Sequence, residues 1–355
     1  MSHVLTIEPI AQSIDVEEGQ TILDACLRAG IWLPHACCHG LCATCKVQVT
    51  EGEVDHGEAS PFALMEFERE ERQALACCAT LQEDTTIVAD LDEDPDARQI
   101  AVEDFNGEVL SADKVSPSIK IIRLRLDRPM AFQAGQYVNV DVAQLGQRRA
   151  FSIANPPSRA GEIELHVRHV PGGAVTTYLH EQLTRGDTLR VAGPYGRFFV
   201  RISAHTRHEL AALFIAGGSG LSSPLSMIQD LLAQGFSRPI TLVYGQRNRA
   251  ELYHHAELTH LAERHPNVTY LPTLSEEPAE SPWQGARGYV HEAAREHFGN
   301  DFRGYKAYLC GPPAMIDACL STLMQGRLFE RDIHTEKFLC AADAQRTRSP
   351  LFRNV

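Results

Sequence analysis

The sequence predicts three modules in series: a small α+β domain, an antiparallel β-barrel, and an α/β domain built on a parallel sheet. Three observations predict it. Cys37, Cys42, Cys45 and Cys77 stand in the spacing C-x4-C-x2-C followed, after 31 intervening residues, by a fourth cysteine. Between residues 105 and 191, short alternating strands follow one another with turn residues between them. From residue 210 apolar strands alternate with helices, beginning with Phe214-Ile215-Ala216-Gly217-Gly218-Ser219-Gly220-Leu221, a strand that runs into a glycine turn.

In the first module, residues 4–7 and 12–16 read as two short strands. Residues 21–29 read as a helix with Ile22, Leu23, Cys26 and Leu27 on one face and Gly30 as its stop. The cysteine loop follows. Residues 46–50 alternate as a strand, 66–75 read as a charged helix leading to Cys77, and 86–90 as a last strand. The acidic stretch 90–97, with Pro95, reads as a linker. Barrel strands are expected at 107–110, 119–126, 137–142, 162–170 and 188–191. The α/β module is expected to contain strands at 210–216, 240–244 and 305–310, with helices at 224–232 and 314–323. The predicted boundaries are 1–93 for the first module, 94–103 for the linker, 104–204 for the barrel, 205–340 for the α/β module and 341–355 for a tail.

The cysteine spacing matches the plant-type [2Fe–2S] pattern, in which one loop gives three thiolates and a distant strand end gives the fourth. Gly40 and small neighbours let the backbone pass close to a cluster, and their N–H groups offset its negative charge. Cys38 and Cys78 break the spacing and read as neighbours of the ligands. Zinc is the competing metal, because Cys42-x2-Cys45 alone fits a zinc knuckle or a redox pair. A zinc ribbon needs a second spaced pair, however, and Cys77 and Cys78 are adjacent. Cys26, Cys310, Cys319 and Cys340 are scattered and read as ordinary thiols.

The net charge of −13 is unevenly spread. Residues 1–100 hold 20 of the 46 acidic residues and 5 of the 33 Lys and Arg, a balance of −15, whereas the remainder is at +2. An acidic face beside the cysteines argues against nucleic acid and suits steering toward a basic protein partner. No stretch approaches the ~18 apolar residues of a membrane span, and no secretory leader is evident. Ten cysteines without such a leader fit a reducing compartment, so a cytoplasmic protein is expected.

Four further motifs carry chemistry. Arg149-Ala150-Phe151-Ser152 ends a barrel strand, and Gly173-Ala174-Val175-Thr176 opens a helix about twenty residues later. A guanidinium and the N–H groups of a helix start both suit a diphosphate. The turn Gly217-Gly218-Ser219-Gly220 lets a backbone approach a pyrophosphate, although it is neither G-x-G-x-x-G nor a P-loop. Cys310-Gly311-Pro312-Pro313 makes a second strand-to-helix turn in the same sheet.

Together these residues resemble the ferredoxin–NAD(P)H reductase superfamily carrying an N-terminal plant-type ferredoxin of β-grasp fold. Over nearly its whole length the chain is similar to the reductase components of multicomponent phenol hydroxylases, which serve soluble di-iron monooxygenases. The closer likeness lies in residues 58–65, 217–224 with Met227, 311–313 and 325–332. The resemblance implies that Cys37, Cys42, Cys45 and Cys77 hold the [2Fe–2S] cluster. It implies that Arg149 and Ala150 meet the FAD pyrophosphate, that Phe151 packs on the isoalloxazine, and that Ser152 lies near its reactive N5. Gly173 to Thr176 then add diphosphate contacts. Gly217, Gly218, Ser219 and Gly220 take the nicotinamide dinucleotide, with Cys310, Gly311 and Pro312 near hydride transfer, and Phe338 is the aromatic beside the flavin. Ser152 and Cys310 are the catalytic candidates.

In the loop 246–253, Glu251 suits a ribose 2′-OH while Arg247 and Arg249 suit a 2′-phosphate; the resemblance selects NADH. The expected activity is NADH-dependent electron transfer through FAD and the cluster to a di-iron aromatic oxygenase. Competing readings are a reductase for a Rieske dioxygenase or for sugar deoxygenation, and a non-catalytic zinc scaffold.

Overall fold

The computed structural model describes residues 2–36, 38–91 and 94–338. Asp92, Glu93 and the predicted tail lie outside the described residues. The described chain forms two compact units that meet at Glu103 and Asp104, so the barrel and the α/β module belong to one unit.

The first unit is a five-stranded sheet in the order Gln12–Val16, His3–Glu8, Thr85–Val88, Lys46–Glu51, Gln73–Leu75. His3–Glu8 is parallel to Thr85–Val88 and antiparallel to Gln12–Val16. The helix forms at Ile22–Arg28, where Thr21 caps the start by accepting from the Asp24 N–H at 3.2 Å. It buries Ile22, Leu23, Cys26 and Leu27, the face expected from their spacing. The residues expected as a linker are ordered against this unit: the Val102 N–H donates to the Leu27 carbonyl, and Val102 is buried.

The charged helix expected at 66–75 is much shorter, covering Glu66–Glu70. Arg72 adopts a left-handed conformation, φ 62°, and its guanidinium bonds the carbonyls of Val49 and Gly52. Beyond it the chain becomes the strand Gln73–Leu75, paired antiparallel to Lys46–Gln48. Ala74 and Leu75 are buried in a sheet rather than on a helix face.

In the second unit, six antiparallel strands run in the order Gln147–Ser152, Tyr137–Val142, Thr188–Tyr195, Glu103–Lys114, Ile119–Leu126, Glu162–Arg168. A bridge between Ile153 and Leu165 joins the two ends of this order and closes the barrel. Its interior is aliphatic, with Val109, Ile122, Leu124, Val138, Val140 and Val191 among the buried side chains.

The α/β module has six parallel strands in the order Ala286–Arg287, Val268–Leu274, Ile240–Gln246, Ala211–Gly217, Tyr305–Gly311, Ile333–Lys337. Every residue of Ala211–Gly217 is buried, as the central strand of a parallel sheet covered on both faces must be. Strand order reverses between Ala211–Gly217 and Tyr305–Gly311, whose register pairs Ala216 with Cys310. Open α/β sheets bind ligands in the crevice at such a switch point. Both turns singled out in the sequence therefore emerge side by side.

Candidate functional site

In the first unit, strand pairing brings distant thiols together. Lys46 pairs with Leu75 and the Ala76 N–H donates to the Cys45 carbonyl at 2.9 Å, so Cys45 and Cys77 leave neighbouring strand ends. The start of the helix Ile22–Arg28 grips the same turn: the Leu23 and Ile22 N–H groups donate to the carbonyls of Ala76 and Ala79. Cys42 is exposed in the loop and Cys45 is buried. Cys37 lies outside the described residues. Gly40 is required by close approach, because a Cβ there would lie 2.7 Å from the Cys78 sulfur and 3.1 Å from the Ala59 Cα, at φ 68°. Cys38 and Ala43 are also left-handed, which turns successive backbone N–H groups within the loop.

The Cys45 and Cys77 thiols interact directly. Hydrogen bonding from Cys45 pulls Cys77 down to about 6, and the same bond together with burial pushes Cys45 up. One thiolate is thus already favoured where a metal centre needs several, and the donor set fits an iron–sulfur cluster. Cys78 lies 3.7 Å from Cys77, sulfur to sulfur.

In the second unit, four side chains from four elements converge. The Glu336 carboxylate oxygen Oε2 accepts from Ser152 Oγ at 3.1 Å, from Ser223 Oγ at 2.8 Å and from Cys310 Sγ at 3.5 Å. Ser152 ends a barrel strand, Ser223 stands in the first turn of the helix Ser222–Ala233, Cys310 ends a sheet strand, and Glu336 lies in the last strand. Burial pushes the Glu336 carboxyl above its ordinary value, with the two hydroxyls partly offsetting it. Burial, reinforced by the Glu336 charge, also raises the Cys310 thiol far up, so it stays protonated and neutral. The site is partly enclosed, and the raised Glu336 carboxyl is poised to carry a proton.

Ser152 and Cys310 stood out in the sequence, whereas Ser223 and Glu336, which meet them here, did not. The signal for Glu336 was alternation: along Ile333–Lys337 it shares a face with His334 and with Phe338 beyond the strand end. Phe338 is half-buried, and its N–H donates to the Gly311 carbonyl at 3.0 Å. Gly217 and Gly220 have no room for a side chain, since a Cβ would meet the Met315 sulfur or the Cys310 carbonyl at 2.4 Å.

On the barrel, Arg149 and Ala150 are exposed and Phe151 packs against the barrel core. The Arg149 guanidinium donates to the Arg148 carbonyl and to Gln147 Oε1. The helix Ala174–Glu181, capped by Gly173, packs on the strand Gln147–Ser152, so its N-terminal amides and Arg149 belong to one region. Thr176 spends its hydroxyl on the turn, accepting from the Val170 N–H at 3.1 Å and donating to the Gly173 carbonyl at 3.2 Å.

Glu251 requires a correction. Its carboxylate was expected to face a ribose. It is instead buried and occupied on both oxygens, by Ser116, Ser118 and the Ser118 N–H on Oε2 and by Arg247 on Oε1. Burial raises its pKa, but these donors outweigh burial and hold it below the ordinary value, so the ion fastens a barrel turn to the α/β module.

Family models match the three modules in the expected order: a 2Fe–2S iron–sulfur cluster binding domain over residues 5–82, an oxidoreductase FAD-binding domain over 106–200 and an oxidoreductase NAD-binding domain over 214–320. The chain is 57% identical over 357 residues to the reductase component DmpP of phenol 2-monooxygenase from Pseudomonas sp. strain CF600, covering 100% of both chains. This chain belongs to the phenol hydroxylase reductase family. The reductase is also 57% identical, again over 100% of both chains, to the phenol hydroxylase P5 protein of Acinetobacter pittii. Its fold matches the crystal structure of the Amycolatopsis cytochrome P450 reductase GcoB with a TM-score of 0.83 at 35% identity, covering 95% of this chain and 98% of that one. Like its relatives, the reductase is an oxidoreductase with iron–sulfur, flavin and nicotinamide modules. No helix among its described residues is long and apolar enough to cross a membrane.

Proposed function

We propose that this protein oxidises NADH in the cytoplasm and delivers single electrons from its cysteine loop to the oxygenase component of a di-iron, phenol-type aromatic monooxygenase. The observation that carries this reading is the presence, in one chain, of convergent thiols on an acidic module and a Ser152, Ser223, Cys310 and Glu336 cluster at the switch point of a dinucleotide-type sheet. The 57% full-length identity to phenol hydroxylase reductases supports the choice of oxygenase.

When bound, the flavin supplies the exchange of one electron pair for two single electrons, and the cluster supplies a one-electron path to the surface. Arg149 and the first amides of the helix Ala174–Glu181 hold the flavin diphosphate. Gly217, Gly218, Ser219 and Gly220, with Gly311 and Pro312, let the backbone approach the dinucleotide. Ser152, Cys310 and Glu336 surround the reacting end. Cys310 fills this space without adding charge, and Glu336 takes or gives a proton through Ser152. Phe338, next on the same strand face as Glu336, packs against the core cluster that contains Cys310. Cys37, Cys42, Cys45 and Cys77 hold the cluster, and the acidic surround steers it to its acceptor.

Purified reductase loaded with both cofactors is mixed with a di-iron phenol hydroxylase and, separately, with a Rieske oxygenase. The reading predicts NADH-dependent phenol hydroxylation in the first mixture and negligible turnover in the second. The opposite pattern would assign the protein to ring-hydroxylating dioxygenases.

A further inference from the structure

A group of ligand-type side chains outside the Glu336 cluster lies where the barrel packs on the α/β module, and Tyr253 links it to the glycine turn through the Gly218 carbonyl at 3.5 Å. Glu164 and His166 alternate on the strand Glu162–Arg168, so they share a face, and both are buried. His254 precedes the helix His255–Arg264 in the left-handed region, at φ 57°, a conformation that a non-glycine residue holds only when its surroundings impose it. One ligand atom from each of the three lies within 4.8 Å of the others.

Their hydrogen bonding is incomplete in a particular way. His254 Nε2 is buried and has no hydrogen-bond partner among the described residues. Its Nδ1 lies 3.9 Å from the exposed Glu257 carboxylate. His166 is oriented by Tyr253, whose hydroxyl is 3.0 Å from Nδ1, which leaves Nε2 facing Glu164 Oε1 at 3.1 Å. A polar partner on one ring nitrogen that aims the other is the outer-shell arrangement of metal-binding histidines. Arg123 Nε engages Glu164 at Oε2, 2.7 Å away, and leaves Oε1 turned toward the imidazoles.

We propose that Glu164, His166 and His254 form a binding site for a divalent transition-metal ion of the zinc class, joining the barrel to the α/β module. Two imidazoles and a carboxylate are a donor set that zinc accepts, with a water in the fourth position. A groove of about 230 Å³, lined by Arg123, Gln229, His254, Glu257 and Leu258 among others, leads to the site and gives that water its place.

Ligand atoms on a tetrahedral zinc, with bonds of ~2.0 Å, sit roughly 3.3 Å apart. Binding therefore draws His254 inward, a movement that its unpartnered Nε2 leaves open. The charges of Arg123, and of Arg159 and Arg264 along the groove, oppose a cation, so the site is expected to bind more weakly than a closed structural one.

The test uses the holoenzyme with flavin and iron loaded. It is dialysed against zinc chloride, and zinc and iron are then counted by elemental analysis. One zinc per chain is expected, with affinity at least tenfold weaker in His254→Ala and about tenfold weaker in Tyr253→Phe. His254→Asn keeps a residue that tolerates the left-handed conformation and provides the same reading if His254→Ala folds poorly. Cys42→Ser is expected to retain the zinc. Zinc that binds equally to wild type and the His254 variants, zinc lost only in Cys42→Ser, or no zinc at all would overturn the proposal.

Discussion

The cysteine loop and the Glu336 site are built in opposite ways. In the loop, Cys42 and Cys45 come from one short stretch of backbone, Cys42 is exposed, and hydrogen bonding lowers the Cys77 thiol to about 6. The Glu336 site draws one side chain from each of four elements and pushes its titrating groups up. The difference follows from the task. Single electrons must leave through a surface a partner can reach, whereas a hydride and its proton need an enclosed site where charge is scarce. What the two share is anchoring at strand ends, where side chains are fixed by sheet register.

The comparison is sharpened most by removing the proton carrier from the Glu336 site. Glu336→Gln is expected to slow flavin reduction by NADH about 10²-fold in stopped flow, while iron content stays unchanged. An unchanged rate would remove Glu336 from proton handling. The same substitution tests the electrostatics. The folded protein binds this proton more tightly than the unfolded chain, so the associated stability is full below the ordinary value of 4.5 and is lost as pH rises through the raised value. The melting temperature of Glu336→Gln relative to wild type should therefore climb with pH.

Arg149→Ala should weaken FAD retention ten- to a hundredfold, corresponding to the roughly 1.5–3 kcal/mol of a charge-assisted hydrogen bond. Flavin stoichiometry after gel filtration reads it, and full retention would remove the diphosphate assignment. On the other side of the comparison, Gly40→Ala places a Cβ against Cys78 and Ala59 and adds the ~1–2 kcal/mol cost of left-handed backbone. It should lower iron per chain while flavin remains constant. The smallest effect is expected for Ser223→Ala, which removes one of the two hydroxyls that bond Glu336, worth about 1 kcal/mol. Flavin reduction should slow about fivefold, with its pH dependence moved upward.

The same contrast explains what was legible in the sequence. The cysteine spacing stood out because one loop keeps its residues at fixed intervals, and Gly217 and Gly220 because their backbone leaves no room for a side chain. The short helix Glu66–Glu70 could not be bounded, because Arg72 ends it with a conformation stabilised by the carbonyls of Val49 and Gly52, on another strand. Glu251 was misread for a similar reason: its partners Ser116 and Ser118 stand more than 130 residues away. Glu336 resembled a surface charge in a short terminal strand, and only its neighbours across the sheet and barrel show otherwise.

The division of labour between the two regions is tested most directly by Cys42→Ser, assayed with two acceptors. The variant should lose its cluster and its electron delivery to the oxygenase, while NADH oxidation with ferricyanide, which draws on the flavin, stays within about twofold of wild type. Parallel loss of both activities in a variant that retains its FAD would contradict the route from the Glu336 site to the cysteine loop.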